Sequence, residues 1–200
     1  MRRIMMILTI LVGLTACKKN ENPTVQELLD KGVEISVILD DHPADSLLGK
    51  KLQGGWIFYV EEVEGAVRIV SDVDMSTQSV WGCAGNEING ADSTGIGYGR
   101  WNTDEIIAEC PDANAAAGYC YYSNHGGFTD WVLPSAEELE AVYQNVHQKG
   151  IGNFSASGKY WTSSEVSATE SYHFDFSNGN WEISNKTVFL PVRAVRKSDQ

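Results

Sequence analysis

The first seventeen residues constrain this chain more than anything else in it. Arg2 and Arg3 open it, Ile4 to Leu14 is uncharged and mostly apolar, and Leu14-Thr15-Ala16-Cys17 closes the segment. A basic start, an apolar run and small residues before a cut are the layout of a secretory signal. The run is too short to span a bilayer as a finished helix, which takes roughly 20 residues. The folded part is therefore expected to be exported and to lack residues 1–16. Removing 16 of 200 residues leaves 184, enough for one domain with an N-terminal arm and a sizeable core.

The closing Leu-Thr-Ala-Cys resembles a bacterial lipoprotein signal, in which the cysteine is acylated and becomes the new N-terminus. The resemblance implies lipidation at Cys17 and membrane attachment without a spanning helix. At about 0.8 kcal/mol per buried CH₂, two or more acyl chains hold stably. Lys18 is not the acidic residue that marks inner-membrane retention, so the expected location is the outer membrane or cell surface. Losing Arg2 and Arg3 takes the formal charge from −12 to −14. So acidic a chain argues against nucleic acid, whose phosphates need a basic footprint, and against electrostatic docking on anionic lipid. The lipid at Cys17 is then the expected contact with a membrane.

Three cysteines follow Cys17: Cys83, Cys110 and Cys120. An oxidising compartment permits one bridge and leaves one thiol over. Cys83 and Cys110 lie in turn-rich stretches, whereas Cys120 lies in Ala115–Tyr121, which reads as a buried helical face. The reading favours Cys83–Cys110 with Cys120 a buried thiol, although spacing alone does not fix connectivity. Without a CxxC or a close Cys/His pair, zinc is not expected.

Residues 17–23 read as a lipidated tether. Residues 24–51 show a weak ten-residue rhythm of short helical turns, which could pack on the domain or act as a spacer. Trp56–Val60 and Ala66–Val70 flank a turn and form a hairpin. Asp72 to Arg100 is irregular and rich in glycine. Asn102 with Glu105 reads as a helix start, and a second helical segment covers about residues 113–122. Ser135 with Glu138 is a capping box, followed by Leu139, Val142, Tyr143 and Val146 at helical spacing. Tyr160–Glu165 is a strand, and Asn178-Gly179 joins two more in a hairpin. A last strand runs from Thr187 to Val195. Strands at both ends with helices between predict an α+β domain whose terminal strands share one sheet.

Seven pieces in register carry a resemblance: Gly54–Val60, Trp81-Gly82-Cys83, Thr94–Gly99, Asn102-Thr103, Asp130–Leu139, Tyr160–Glu165 and Val192–Arg196. They resemble the Legionella collagen-like protein C-terminal domain family, whose fold is C-type-lectin-like. The resemblance implies a domain over residues 52–197, with a short tail at 198–200. It also implies paired N- and C-terminal strands, two or three helices, and long loops that carry any ligand site. It points to adhesion or ligand binding at the cell surface. Relatives with formylglycine-generating and sulfatase-modifying activity share the general fold, so an enzyme is the alternative, and an envelope-structural role a third reading.

Function has to be argued from a site. The favoured candidate is the hairpin tip: Asn178, Asn180, Trp181, Glu182 and, farther along, Asn185. A flat apolar ring with short amide neighbours is what saccharide and protein contacts use. The expected partner is a glycan or a protein at the cell surface. Trp131 and Trp161 are expected in the core. His125 is expected to be solvated rather than catalytic, and no G-x-S-x-G turn exposes a nucleophile. Gly95-Ile96-Gly97-Tyr98-Gly99 reads as a turn, since it lacks the spacing of a phosphate loop. No cofactor is expected. The Glu-Pro-Asn and Trp-Asn-Asp pieces of calcium-dependent lectins are missing, and Asp92, Asp104, Asp112, Glu165 and Asp175 are not grouped by spacing, although a structural calcium stays open. Arg193 and Arg196 are expected to form salt bridges with the sheet or with Glu165.

Overall fold

The structure is a computed structural model that describes residues 22–154 and 158–198. The leader and Cys17 lie outside the described residues. Among them are five α-helices and nine strands in three antiparallel sheets, a mixed α and β arrangement.

The chain opens with α1 (Val25–Asp30) and α2 (Ile35–Asp41). Thr24 and Glu27 form a reciprocal capping box that starts α1. These helices do not stand off as a spacer. Val25, Leu29, Ile35, Ile38 and Leu47 are buried in the same cluster as Trp81, Trp131 and Trp161. The ten-residue rhythm is thus the inward stripe of an element that closes the core.

The first sheet is β1 (Lys51–Leu52), β2 (Gly55–Glu61), β3 (Ala66–Ser71) and β9 (Val195–Ser198), in the order β1-β2-β3-β9. The terminal strand shares the sheet of the N-terminal hairpin, but it pairs with β3 rather than directly with β2. Gln26 covers the outer edge of β1: its Nε2 donates to the Lys51 carbonyl at 2.9 Å and its Oε1 accepts the Lys51 N–H at 3.0 Å. Val132 bridges the outer edge of β9 through Val195.

The strand expected over 187–195 is two strands. β8 (Leu190–Val192) pairs with β4 (Ser76–Ser79), and β9 belongs to the first sheet. The chain changes sheets at Ala194, which exchanges hydrogen bonds with the backbone N–H and Oγ of Ser71. The third sheet is β5 (Lys159–Glu165), β6 (Glu170–Asp175) and β7 (Asn180–Asn185).

Three further helices are α3 (Tyr98–Glu109), α4 (Ala116–Tyr121) and α5 (Ala136–Asn145). The cap of helix α3 lies five residues before the expected Asn102, at a left-handed Gly97 (φ 94°). Asn102 does not cap; it is buried, and its Nδ2 donates to the Ser93 carbonyl (2.7 Å) and Ser163 Oγ (3.2 Å), fixing the preceding loop. The Ser135/Glu138 capping box forms as expected. Leu139 and Val142 of α5 join Phe58, Tyr160, Phe174 and Phe176 in a second core cluster. Every fully buried tryptophan finds an acceptor: Trp81 on Thr162 O, Trp161 on Ser79 O and Trp131 on His125 O, all within 2.8–2.9 Å. Cys83 and Cys110 form a disulfide, and Cys120 is a buried free thiol.

Candidate ligand-binding site

The hairpin tip brings Asn178, Asn180 and Glu182 together. Asn178 Oδ1 accepts the Asn180 N–H at 2.9 Å, and its Nδ2 reaches Glu182 Oε1 at 3.4 Å. Glu182 Oε2 accepts from Lys159 Nζ (2.6 Å) and His173 Nε2 (3.1 Å). Asn185 lies at the far end of β7, where Oδ1 accepts from the backbone and hydroxyl of Thr187. Strand alternation puts Trp181 on the opposite face from Glu182, with its ring 6.1 Å from that of Tyr172. The amides and the carboxylate thus shape turns and ion pairs, while Trp181 (37% exposed) stays partly open.

A second constellation is assembled from four segments of the chain. A cavity of about 330 Å³ is lined by Arg68 of β3, Gly97 and Arg100 of the α3 start, Asp130 and Val132, and Val195, Arg196 and Lys197 of β9. Asp130 is its hub: Arg196 Nε donates to Oδ1 and Arg100 Nη2 to the backbone carbonyl, both at 2.7 Å. The Arg196 guanidinium also lies over Phe128, 4.1 Å from the ring centroid, and bonds Gln53. Arg68 spans Glu61 (2.7 Å) and Glu138 (3.2 Å), leaving its buried Nε without a hydrogen-bond partner. Lys197 pairs with Glu61 (2.6 Å) and Glu64. A Cβ on Gly97 would sit 2.9 Å from Arg68 Nη2, so glycine there lets the guanidinium approach the helix start.

Glu138 holds one wall of this cavity. It accepts from the N–H groups of Gly97 (3.1 Å) and Ser135 (2.9 Å) as well as from Arg68. Complete burial raises its pKa, against the lowering effect of those hydrogen bonds and of the arginine charge. Burial also acts to raise Glu61, but bonds from Lys197 and the Arg68 charge outweigh it and leave that carboxyl below its ordinary range. Arg100 is the most exposed of the cavity's four cations. Its side chain is 44% exposed, and its ion pair with Asp104 is long, at 3.5 Å. Sequence reasoning missed this cavity because its lining residues are scattered from Arg68 to Lys197. The one local signal was the Asp130 and Arg196 ends of two motifs already noted.

The remaining candidates go elsewhere. His125 Nε2 lies between the Gly54 carbonyl (2.8 Å) and Asp72 Oδ1 (2.9 Å), latching its loop to the β1–β2 turn, while Ser123 Oγ accepts the His125 backbone N–H. Arg193 pairs with Asp74 at 2.7 Å, and Glu165 pairs with Lys186, so neither final arginine meets Glu165. Asp175 bonds Ser177 and Lys159, Asp104 pairs with Arg100, and Asp112 accepts the Asn114 N–H. Among the described residues, no group of three or more His, Cys, Asp or Glu side chains could hold a metal ion. None of their helices is long and apolar enough to cross a membrane.

The sequence model of the Lcl C-terminal domain family matches residues 72–196. A search of curated proteins returns no match.

Proposed function

Starting from the Lcl C-terminal domain family, to which this chain belongs, we propose that it displays a calcium-independent, non-catalytic binding domain at a bacterial surface, held to the outer membrane by lipid at Cys17. Family membership points to a surface or adhesion-related domain, and a C-type-lectin-like arrangement suits one, because loops on a rigid core carry the contacts. The observation that carries the reading is the convergence of Arg68, Arg100, Arg196 and Lys197 on one cavity, in a chain of net charge −12. At about 330 Å³ it lies at the small end of ligand pockets, which run from roughly 300 to 1,000 Å³.

The ligand that suits it is the end of a saccharide bearing a carboxylate or sulfate. The cations already face carboxylates, so the cavity is a field of alternating charge. An exposed i,i+4 pair such as Arg100–Asp104 is worth only about 0.3–0.5 kcal/mol, so Nη1 of Arg100 is open to an incoming anion while Nη2 stays on the Asp130 carbonyl. Asp130 then remains to accept hydroxyl hydrogens. The cysteines support a binding role over redox chemistry: two are joined, and burial pushes the Cys120 thiol well above its ordinary value.

Arraying residues 22–200 against glycans and matrix proteins tests this. Saturable binding to acidic saccharides is expected, weakened at least tenfold by Arg100→Ala combined with Lys197→Ala and unchanged by Asn178→Ala. A flat response on both arrays would overturn the reading. Saturable binding that survives the double substitution would take the site away from this cavity.

A further inference from the structure

The sheet edges are treated unequally. Gln26 covers β1, and Val132 bridges β9. Along β5, Ser163 N–H donates to Pro134 O and Glu165 N–H to Ala91 O, so loops cover that edge. Strand β7 differs. It ends its sheet, runs six residues in unbroken register with β6, and carries no proline, lysine or bulge. Exposed edges invite pairing with another chain, and folded proteins ordinarily blunt them.

The outward backbone groups of β7 can be assigned. Lys186 N–H donates to Thr169 O, so residues 169 and 186 form a hydrogen-bonded pair. Antiparallel ladders alternate, which turns the backbone groups of Trp181, Ile183 and Asn185 away from β6; the Asn185 carbonyl already accepts the Val188 N–H at 3.0 Å, so the open stretch of the edge is Trp181 to Ile183. Trp181 and Ile183 also expose apolar side chains on one face, with Ile183 50% exposed.

We propose that β7 is a self-association edge whose occupant is β7 of a second copy of this chain, antiparallel, with the two-fold axis at Ile183. In that register Ile183 faces the partner's Ile183, Trp181 faces the partner's Asn185, and Glu182 faces the partner's Ser184. Isoleucine meets isoleucine at the axis, each Trp181 ring meets an amide, and no carboxylate meets another. A shift of the axis to Glu182 sets that carboxylate against the partner's Glu182, and like charges directly opposite are destabilising. The strand is thus complementary to itself in one register and not in the next. The joined sheet runs β5-β6-β7 into the same three strands of the partner, and the isologous contact closes the assembly at two copies. Such an edge buries little area, so the dimer is weak and concentration-dependent.

The test uses the chain from residue 17 onward with Cys17→Ser, which leaves no cysteine there to acylate. A hydrogen-bonded antiparallel pair holds its Cα atoms about 5.5 Å apart, inside the range a disulfide accepts. Ile183→Cys is therefore expected to give an oxidised dimer, with Val63→Cys, on the opposite hairpin turn, as the control. The native cysteines do not compete, since two are paired and Cys120 is buried. Sedimentation is expected to show a monomer–dimer equilibrium in the chain with the natural β7, and Ile183→Lys should raise its dissociation constant at least tenfold. Equal cross-linking of the Ile183→Cys and Val63→Cys chains, preferential cross-linking of Glu182→Cys, or a monomer at every concentration would each overturn the proposal. So would an Ile183→Cys chain that cross-links in intact cells to a different protein and never to itself.

Discussion

His173 shows how a single side chain carries the acid response of the β5–β6–β7 sheet. It is 2% exposed, its Nε2 meets Glu182 Oε2, and its Nδ1 is buried without a hydrogen-bond partner. Burial, with the charge of Lys159, lowers its pKa from the ordinary 6.5, against the opposing pull of Glu182 and Asp175. Protonation would place an unpartnered N–H in the interior. A base depressed in the folded state stabilises fully above its unfolded pKa, and that contribution is lost as pH falls through the folded value. Stability should therefore begin to drop below about pH 6.5, with a slope from this residue of at most about 1.4 kcal/mol per pH unit. Asp72 and Asp175 continue the trend at lower pH. Burial alone would raise them, but Lys51 and His125 for Asp72, and Ser177 and Lys159 for Asp175, hold both below their ordinary 3.8. Glu138 runs the other way: its raised pKa favours the fold most below 4.5, and that contribution is lost as pH rises through the folded value. Denaturation midpoints of the natural chain and His173→Gln between pH 5 and 7.5 should diverge, with the variant losing the early part of the slope. Parallel curves would show that His173 titrates alike in both states.

At the scale of elements, the N-terminal helices decide where the domain begins. Ile35 and Ile38 present one face of α2 to the core, both essentially inaccessible. Cutting a buried isoleucine to alanine costs about 2–5 kcal/mol. Ile38→Ala should therefore lower the urea midpoint of the whole domain in one cooperative transition. A spacer would instead show no change and would be released intact by limited proteolysis. Sequence periodicity revealed these turns but not their partner, because a stripe of three or four apolar residues does not say what it faces. Elements governed by local chemistry were legible: the Ser135/Glu138 box, the Asn178-Gly179 hairpin, and the buried Trp131 and Trp161. Elements governed by distant contacts were not. Asn102 looked like a cap because its side chain suits one, yet Ser163, sixty-one residues on, claims it. The run from Thr187 to Val195 looked like one strand because nothing local marks the change of sheet at Ala194. The cavity around Asp130 is the extreme case, since β3, α3 and β9 must all be in place before Arg68, Arg100, Arg196 and Lys197 meet.

For the whole molecule, folding residues 24–49 into the domain shortens any tether. If Cys17 carries the lipid, the chain from Cys17 to Asn22 reaches at most about 18 Å when fully extended. A compact domain of this size is roughly 40 Å across, so the anchor holds it within less than its own width of the membrane. The nearest helices are acidic on their exposed side, with Glu27, Asp30, Glu34, Asp40 and Asp41 all outward. On an anionic bilayer such an anchor would bring these charges within about one Debye length of the lipid, some 8–10 Å at physiological salt, and their repulsion would hold the domain off the surface. Anchoring of this kind would confine copies to a layer and so raise their effective concentration for the proposed β7 pairing. It also limits how large a ligand can approach. Inserting about 20 Gly/Ser residues after Asn20 adds some 22–27 Å of mean reach. On vesicles carrying the acylated chain, that insertion should increase capture of a bulky, polymer-linked ligand while leaving a small soluble ligand unaffected. Equal capture of the bulky ligand with and without the insertion would mean that the domain already stands clear of the bilayer, and the short-tether account would fail.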